Sequence, residues 1–313
     1  MLRHSFLCVF FLLFIAGCAR PPMIPPSASH QQVRHMPAFT RVKVDGTINV
    51  SLHTGYSRPQ VILRGDPRDL VHVTTVVVNG GLLVNLGKGY PNYGPVQAEI
   101  RGKFLNSFEY HGRGYITGKR LRSSLLDILI DNDGKTTLGG NITVRKLKVM
   151  GGGYTQISGV RSERMQVKLS GKARVQLSGV VNVTSIDVDN GSWLSMYWVK
   201  SRVLKVCGRG ASFIQLAGIT DRLDVELWDK ACFKGRYLRA NRAFVKTYDK
   251  AVAEISAINR QHTLASGGSD ILFYNIPEMR TDFMAFDGSV LDMRDLNIRD
   301  WRMPLQEYNR YNK

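Results

Sequence analysis

The chain has 313 residues, of which 43% are hydrophobic and 22% charged, a composition that excludes a disordered chain and suits one large or two ordinary domains. Its 43 Lys and Arg residues outnumber 25 Asp and Glu residues, giving a formal charge of +18. This excess favours an anionic partner, namely nucleic acid, acidic lipid headgroups or acidic polysaccharide.

Residues 1–17 have the layout of a secretory signal peptide. Arg3 provides a basic start, and the apolar run at residues 6–14 is too short to span a bilayer as a mature helix. Ala16 and Gly17 precede Cys18 and resemble a bacterial lipobox. The resemblance implies cleavage before Cys18 and acylation of this residue, including a palmitate-type chain. The alternative is an ordinary signal peptide with an incidental cysteine.

The residue after the lipobox cysteine bears on the location of the mature protein. Residue 19 is Ala rather than Asp, which by resemblance to Gram-negative lipoproteins implies a lipid anchor in the outer membrane of the cell envelope. Two or more acyl chains anchor a protein stably. Export also argues against nucleic acid as the partner.

Residues 18–38 are rich in proline and are predicted to form an extended linker. From residue 39 apolar and polar residues alternate, as at Val42 and Val44, which is the period of a β-strand. Three valines followed by Asn79-Gly80 predict a hairpin. Residues 39–110 are therefore predicted to be N-terminal strands that cap the fold, with a turn at Asp66.

Residues 111–298 contain a repeat of about 19 residues. Each copy opens with a small residue, and apolar residues follow two, four and seven positions later in nearly every copy. A turn rich in Gly, Asp and Asn divides two short strands in each copy. The predicted openings are Gly114, Lys135, Gly153, Ala173, Ser192, Ser212, Ala231, Ala251, Ser269 and Ser289.

One such repeat cannot bury its own apolar face, whereas stacked coils cover one another. We therefore predict an all-β fold, a parallel β-solenoid over residues 39–300. A meander or sandwich with evenly spaced strands is the alternative, but it does not require a small residue in one fixed position. Residues 299–313 are predicted to be a C-terminal tail that either caps the last coil or docks elsewhere.

The opening of the domain resembles the adhesin head domain family, also called the head GIN domain, a domain of unknown function. The resemblance lies in residues 39–55 and 61–70, in Asn79-Gly80-Gly81-Leu82, and in glycine-rich repeats such as Val167-Lys168-Leu169-Ser170-Gly171. It implies a right-handed parallel β-helix in an exported protein. It implies no catalytic residues, because the family has no established chemistry.

The repeat also predicts where charged side chains align. Nine positions before the small residue lies a corner, predicted to join successive coils, and this position holds arginine in several copies. Four of these copies are consecutive, so their arginines should stack along one edge and bind an anion. A solvated corner neutralised by nearby acids is the alternative. The candidate residues are Arg164, Arg222, Arg242, Arg260 and Arg280.

Other chemistry has less support. Cys207 and Cys232 fall on different strands in this register, so we expect free thiols. Trp193, Trp198 and Trp228 are either a contact patch or corner packing. The histidines and outward acids form no cluster that suits a metal site, a cofactor or a hydrolase.

We therefore predict a non-enzymatic lipoprotein without cofactors that works by binding. Its expected partners are the membrane, through the lipid anchor, and an acidic glycan, lipopolysaccharide or other envelope proteins. One alternative is a structural subunit of a multi-protein envelope complex such as a secretion system. A carbohydrate-active β-helix enzyme is a further alternative with less support.

Overall fold

The computed structural model describes residues 29–274 and 280–293, and these residues form a β-solenoid with one short helix. All 19 strands belong to one continuous hydrogen-bonded sheet. Strands β9 to β16 stack in chain order through parallel pairing. The predicted all-β solenoid is confirmed.

The N-terminal part contains one helix, α1 (Pro67–Leu70), and eight strands before the long coils begin. The strands are β1 (His30–His35), β2 (Arg41–Asp45), β3 (Ile48–Thr54), β4 (Gln60–Gly65), β5 (Val73–Val78), β6 (Gly81–Leu86), β7 (Val96–Gly102) and β8 (Ser107–Gly112).

The remaining strands build the stacked coils. They are β9 (Ile116–Asn132), β10 (Thr136–Met150), β11 (Tyr154–Leu169), β12 (Arg174–Val188), β13 (Trp193–Gly208), β14 (Phe213–Leu227), β15 (Cys232–Thr247), β16 (Val252–Ser266), β17 (Asp270–Phe273), β18 (Arg280–Phe286) and β19 (Ser289–Asp292).

The N-terminal strands are stacked out of chain order. Strand β2 pairs with both β6 and β8, and β3 pairs with both β7 and β9, all in parallel. The β6–β7 layer therefore lies outside the β2–β3 layer. Antiparallel strands finish this end, because β5 forms a hairpin with β6 and β4 pairs with β7. The predicted hairpin is confirmed, and Asn79 and Gly80 both adopt positive φ in its turn.

Strand β1 corrects the predicted linker. His30–His35 lie inside the predicted linker at residues 18–38, but they pair in antiparallel fashion with β4. The linker prediction is wrong for these residues, because the free edge of β4 satisfies their backbone groups. Cys18, the predicted signal peptide and the predicted tail at residues 299–313 lie outside the described residues.

The predicted turn at Asp66 is also corrected. Asp66 is the N-cap of α1, and its Oδ1 accepts a hydrogen bond of 2.9 Å from the backbone N–H of Arg68. Asp69 is fully buried in this helix, and its carboxylate accepts from the backbone N–H groups of Asn92 and Tyr93 at 2.9 and 2.8 Å. The helix thereby holds the loop between β6 and β7.

Each long coil contains three stretches of inward-facing residues rather than the predicted two strands. In β12 the buried residues fall into three pairs separated by bends, namely Val175 and Leu177, Val181 and Val183, and Ile186 and Val188. Register shifts in the pairing mark the bends. The position that we predicted to join successive coils is therefore a bend inside a coil, since the join lies at turns such as the one around Asn190.

The small residues of successive coils form one buried column. Tyr154 pairs with Arg174, so Gly153 lies beside Ala173, and the column continues through Ser192 and Ser212. Two predicted openings are wrong by one position. Gly134 occupies the column instead of Lys135, and Gly288 instead of Ser289, because Thr136 pairs with Thr155 and Asp270 with Ser289.

Two adjacent glycines test the space available in this column. A Cβ on Gly153 would lie 2.2 Å from the carbonyl oxygen of Gly134, whereas one on Gly152 would lie 3.4 Å from Asp133 Oδ1. We expect Gly153→Ala to cost about 2 kcal/mol or more, since the backbone must move. Gly152→Ala should cost no more than about 0.5 kcal/mol. Urea unfolding of both variants measures the difference, and equal losses would contradict a column without free space.

Candidate functional site

Four of the predicted arginines form a continuous column, which we call the Arg edge. Arg222 pairs with Arg242, Arg242 with Arg260, and Arg260 with Arg280 in the parallel register. Their Cα atoms therefore step along the solenoid at the strand spacing of about 4.8 Å. All four side chains are exposed.

Carboxylates neutralise only part of the Arg edge. Arg222 Nε donates to Asp224 Oδ1 at 2.9 Å, and an Arg260 Nη lies 3.5 Å from Asp282 Oδ2. Within residues 29–274 and 280–293, the side chains of Arg242 and Arg280 have no hydrogen bond or ion pair. Alternate members of the edge thus present a guanidinium that is free to bind an anion.

A shallow groove of about 410 Å³ runs beside the Arg edge. The register places Lys205, Asp224, Phe244 and His262 in the column next to the arginines. The Phe244 and His262 rings stack with centroids 5.0 Å apart, and the Arg222 guanidinium lies 4.6 Å above the Phe244 ring. His262 Nδ1 also lies 3.2 Å from Asp282 Oδ2. The groove therefore combines cations with a stacked pair of aromatic rings.

Arg164 does not belong to the Arg edge. The residue that pairs with Arg222 on the preceding strand, β13, is Val203, and β12 lies between β13 and β11, the strand of Arg164. Arg164 is exposed but is separated from Arg222 by these two coils. The candidate anion site is thus limited to the four consecutive arginines.

The two cysteines of the coils are free and lie on different strands, Cys207 on β13 and Cys232 on β15. Both are partly buried. Burial raises the pKa of both thiols, and the nearby Asp187 carboxylate raises that of Cys207 further. A raised pKa leaves little thiolate at neutral pH, so neither residue is a good nucleophile.

The tryptophans differ in their surroundings. Trp193 stacks on Phe213 with centroids 6.3 Å apart, and Trp228 stacks on Tyr248 at 5.7 Å, so both pack along the outside of the coils. Trp198 is 73% exposed and has no stacked partner within the described part of the chain. Corner packing therefore describes Trp193 and Trp228 but not Trp198.

Trp198 also has an unfavourable backbone conformation. Its φ is +66°, in the left-handed region. The equivalent corner of neighbouring coils holds Gly140, Gly159, Gly179 and Gly218, and all of these have positive φ. A residue with a side chain costs about 1–2 kcal/mol there. The glycines recur in the sequence repeat, whereas Trp198 stands out only when the corner position is compared from coil to coil.

The sequence did not lead us to predict a second groove. It has a volume of about 700 Å³ and lies between β3 and the first bend of β9. Lys119, Arg120 and Arg122 line it together with His53 and Tyr56. The sequence feature that could have indicated this groove is the basic run after Gly118, which is separate from the predicted Arg positions.

The structure offers little support for other kinds of site. No group of three or more His, Cys, Asp or Glu side chains with metal-binding geometry occurs among the described residues. No helix in residues 29–274 or 280–293 is long and apolar enough to cross a membrane.

Comparison with known families identifies the family of the chain. The sequence model of the family described as "Putative auto-transporter adhesin, head GIN domain" matches residues 38–206, more than half of the chain. The chain belongs to this family. The match covers the N-terminal strands and the first stacked coils, and the Arg edge lies beyond it. No curated protein matches the chain.

Several solved structures of similar proteins come from Parabacteroides species. A putative adhesin from Parabacteroides merdae is 14% identical, with 84% of this chain and 95% of that chain covered and a TM-score of 0.48. A putative adhesin and a putative lipid binding protein from Parabacteroides distasonis are 11% and 12% identical, each covering 84% of this chain and 96% of its own, with TM-scores of 0.46 and 0.45.

The raised thiol pKa values predict slow alkylation of Cys207 and Cys232. At pH 8 the folded chain should react with iodoacetamide at both positions roughly tenfold more slowly than the urea-unfolded chain, because less thiolate is present. Peptide mass spectrometry resolves each cysteine. Equal rates in the folded and unfolded chain would show that burial does not control these thiols.

Proposed function

We propose that this family member is a non-enzymatic, lipid-anchored binding module of the outer membrane whose Arg edge binds an acidic glycan. The observation that carries the proposal is the unbroken column Arg222, Arg242, Arg260 and Arg280. Guanidinium groups bind carboxylates through paired hydrogen bonds, and Arg242 and Arg280 are free to do so among the described residues.

The spacing of the edge suits a polymer better than a small anion. Like charges about 4.8 Å apart repel one another unless counter-ions lie between them. A chain carrying repeated carboxylates supplies those counter-ions along the whole column, and each contact lowers the repulsion felt by the next arginine. The edges of the stacked Phe244 and His262 rings add apolar surface beside the arginines.

Two features support binding rather than catalysis. Two of the acidic residues beside the Arg edge, Asp224 and Asp282, are each paired with an arginine, so their oxygens are engaged within the protein. Family membership points the same way, since the matched family is described as an adhesin head domain.

Removing three guanidinium groups tests the Arg edge. The full chain with Arg222→Ser, Arg242→Ser and Arg260→Ser should bind polygalacturonate roughly 100-fold more weakly than the wild type. Binding of the wild type should weaken as salt increases, because the contacts are ionic. Isothermal titration measures both effects.

A matched variant controls for the loss of net charge. Lys172, Lys230 and Lys250 are exposed on turns away from the Arg edge. Changing all three to Ser removes the same charge and should leave the affinity within about threefold. Equal weakening in both triple variants would mean that net charge binds the glycan, and unchanged binding in the Arg variant would discard the proposal.

The lipid anchor has a separate test. Cys18→Ser should abolish incorporation of labelled palmitate and release the protein from the outer-membrane fraction, since the acyl chains are attached at this residue. Circular dichroism should be unchanged. Palmitate incorporation in the variant would refute acylation at Cys18 without bearing on the Arg edge.

A further inference from the structure

The first bend of each coil, between the first and second inward-facing stretch, lines up along a second edge of the solenoid. We call it the basic-aromatic edge and define it by its segments, which are 118–122, 138–142, 158–161, 178–181, 197–200, 217–220, 236–239 and 256–259. None of these segments contains Asp or Glu. The nearest acids in the adjoining chain are Glu163 and Asp221, on the side toward the Arg edge, and Glu254 on the other side, which is paired with Lys234.

Cations occur on every second coil of this edge. Lys119, Arg120 and Arg122 occupy its N-terminal end, where they line the second groove. Arg161, Lys200, Arg236 and Arg239 follow on later coils, and all of these side chains are exposed. In the part of the chain that the structure describes, no ion pair involves any of them.

The cations on the later coils are spaced rather than stacked. Lys200 pairs with Ile219, which in turn pairs with Arg239, so an apolar residue separates the two charges. Arg161 likewise pairs with Val180. This alternation limits repulsion between like charges and leaves aliphatic side chains exposed between them.

Large apolar side chains protrude from the same edge. Trp198 is 73% exposed, Tyr237 69% and Val180 62%. Tyr197 and Ile219 are also exposed. Monomeric proteins rarely leave such a line of apolar groups in water without a partner. Trp198 is also kept at a backbone position where neighbouring coils have glycine, at a cost to stability.

We propose that the basic-aromatic edge lies against a lipid bilayer carrying anionic headgroups, with Trp198 and Tyr237 in the interfacial layer. Trp and Tyr side chains prefer this layer because one end is apolar and the other polar. Exposed Lys and Arg are attracted to acidic headgroups. The edge extends roughly 34 Å, a length over which several headgroups are in reach of separate cations.

A bilayer fits this edge better than a glycan does. The segments are bends, and their most exposed large side chains are cations and the apolar residues Val180, Trp198 and Tyr237. The free apolar area and the absence of acids instead match the two components of interfacial binding, which are apolar burial and attraction to anionic lipid.

The test compares full-length chains that differ only at the edge, so the N-terminal region contributes equally to every sample. Vesicles contain equal parts of phosphatidylethanolamine and phosphatidylglycerol. Trp198→Gly should lower the partition coefficient roughly tenfold in co-flotation. The triple change Lys200→Ser, Arg236→Ser and Arg239→Ser should lower it at least as much.

Controls distinguish the edge from net charge and from a loss of folding. The Lys172, Lys230 and Lys250 triple variant should bind vesicles like the wild type, as should the Arg222, Arg242 and Arg260 triple variant. Trp198→Gly should keep or raise the melting temperature, because glycine suits the left-handed conformation. A fall in its melting temperature together with weaker partitioning would count against the proposal.

The position of Trp198 is measured directly by fluorescence. Brominated phosphatidylcholine mixed into the vesicles should quench the emission that Trp198→Phe removes. Partitioning that is unchanged in Trp198→Gly, emission that is not quenched, or equal binding to pure phosphatidylcholine vesicles would overturn the proposal. None of these results would affect glycan binding at the Arg edge, which polygalacturonate titration reports separately.

Discussion

The structure depends on the close parallel approach of successive coils. Backbone hydrogen bonds join each coil to the next, and at several positions the two backbones approach so closely that no Cβ fits between them. Gly140, Gly159, Gly179 and Gly218 mark one such column, where a Cβ would lie 2.0–2.1 Å from a carbonyl oxygen of the preceding coil. A coil that departed from this spacing would lose hydrogen bonds along its whole length, so the register is maintained from coil to coil.

Because the register is uniform, residues at the same position of successive repeats stack on one another in a column. Arginines about 19 residues apart become neighbours about 4.8 Å apart, and the same holds for the rings of Phe244 and His262. Each edge of the solenoid therefore has its own chemistry. One edge stacks arginines against a groove, and another alternates cations with aliphatic and aromatic residues. A single coil presents too few of these groups to bind anything extended, whereas the stack presents a line of them.

Trp198 occupies a bend whose backbone conformation, which the stacking of the coils requires, is unfavourable for a residue with a side chain. The bend that Trp198 occupies favours glycine, and four other coils have glycine at this position. The repeat would be more regular with glycine there, so the side chain is best explained by a contact outside the coil. Lys200 on the same bend and Tyr237 two coils further on support the same conclusion, because both are exposed in segments without acids.

Short-range periodicity was enough to predict the all-β solenoid, the hairpin at Asn79-Gly80 and the Arg edge, because stacking carries each of these patterns directly into three dimensions. It was not enough to predict the pairing of β1 with β4, the placement of the β6–β7 layer outside β2–β3, or the openings at Gly134 and Gly288. Those features depend on which free strand edge a distant segment reaches and on how closely two backbones approach at one position. The folded chain settles such contacts, since they join residues far apart in a sequence whose local pattern allows more than one partner.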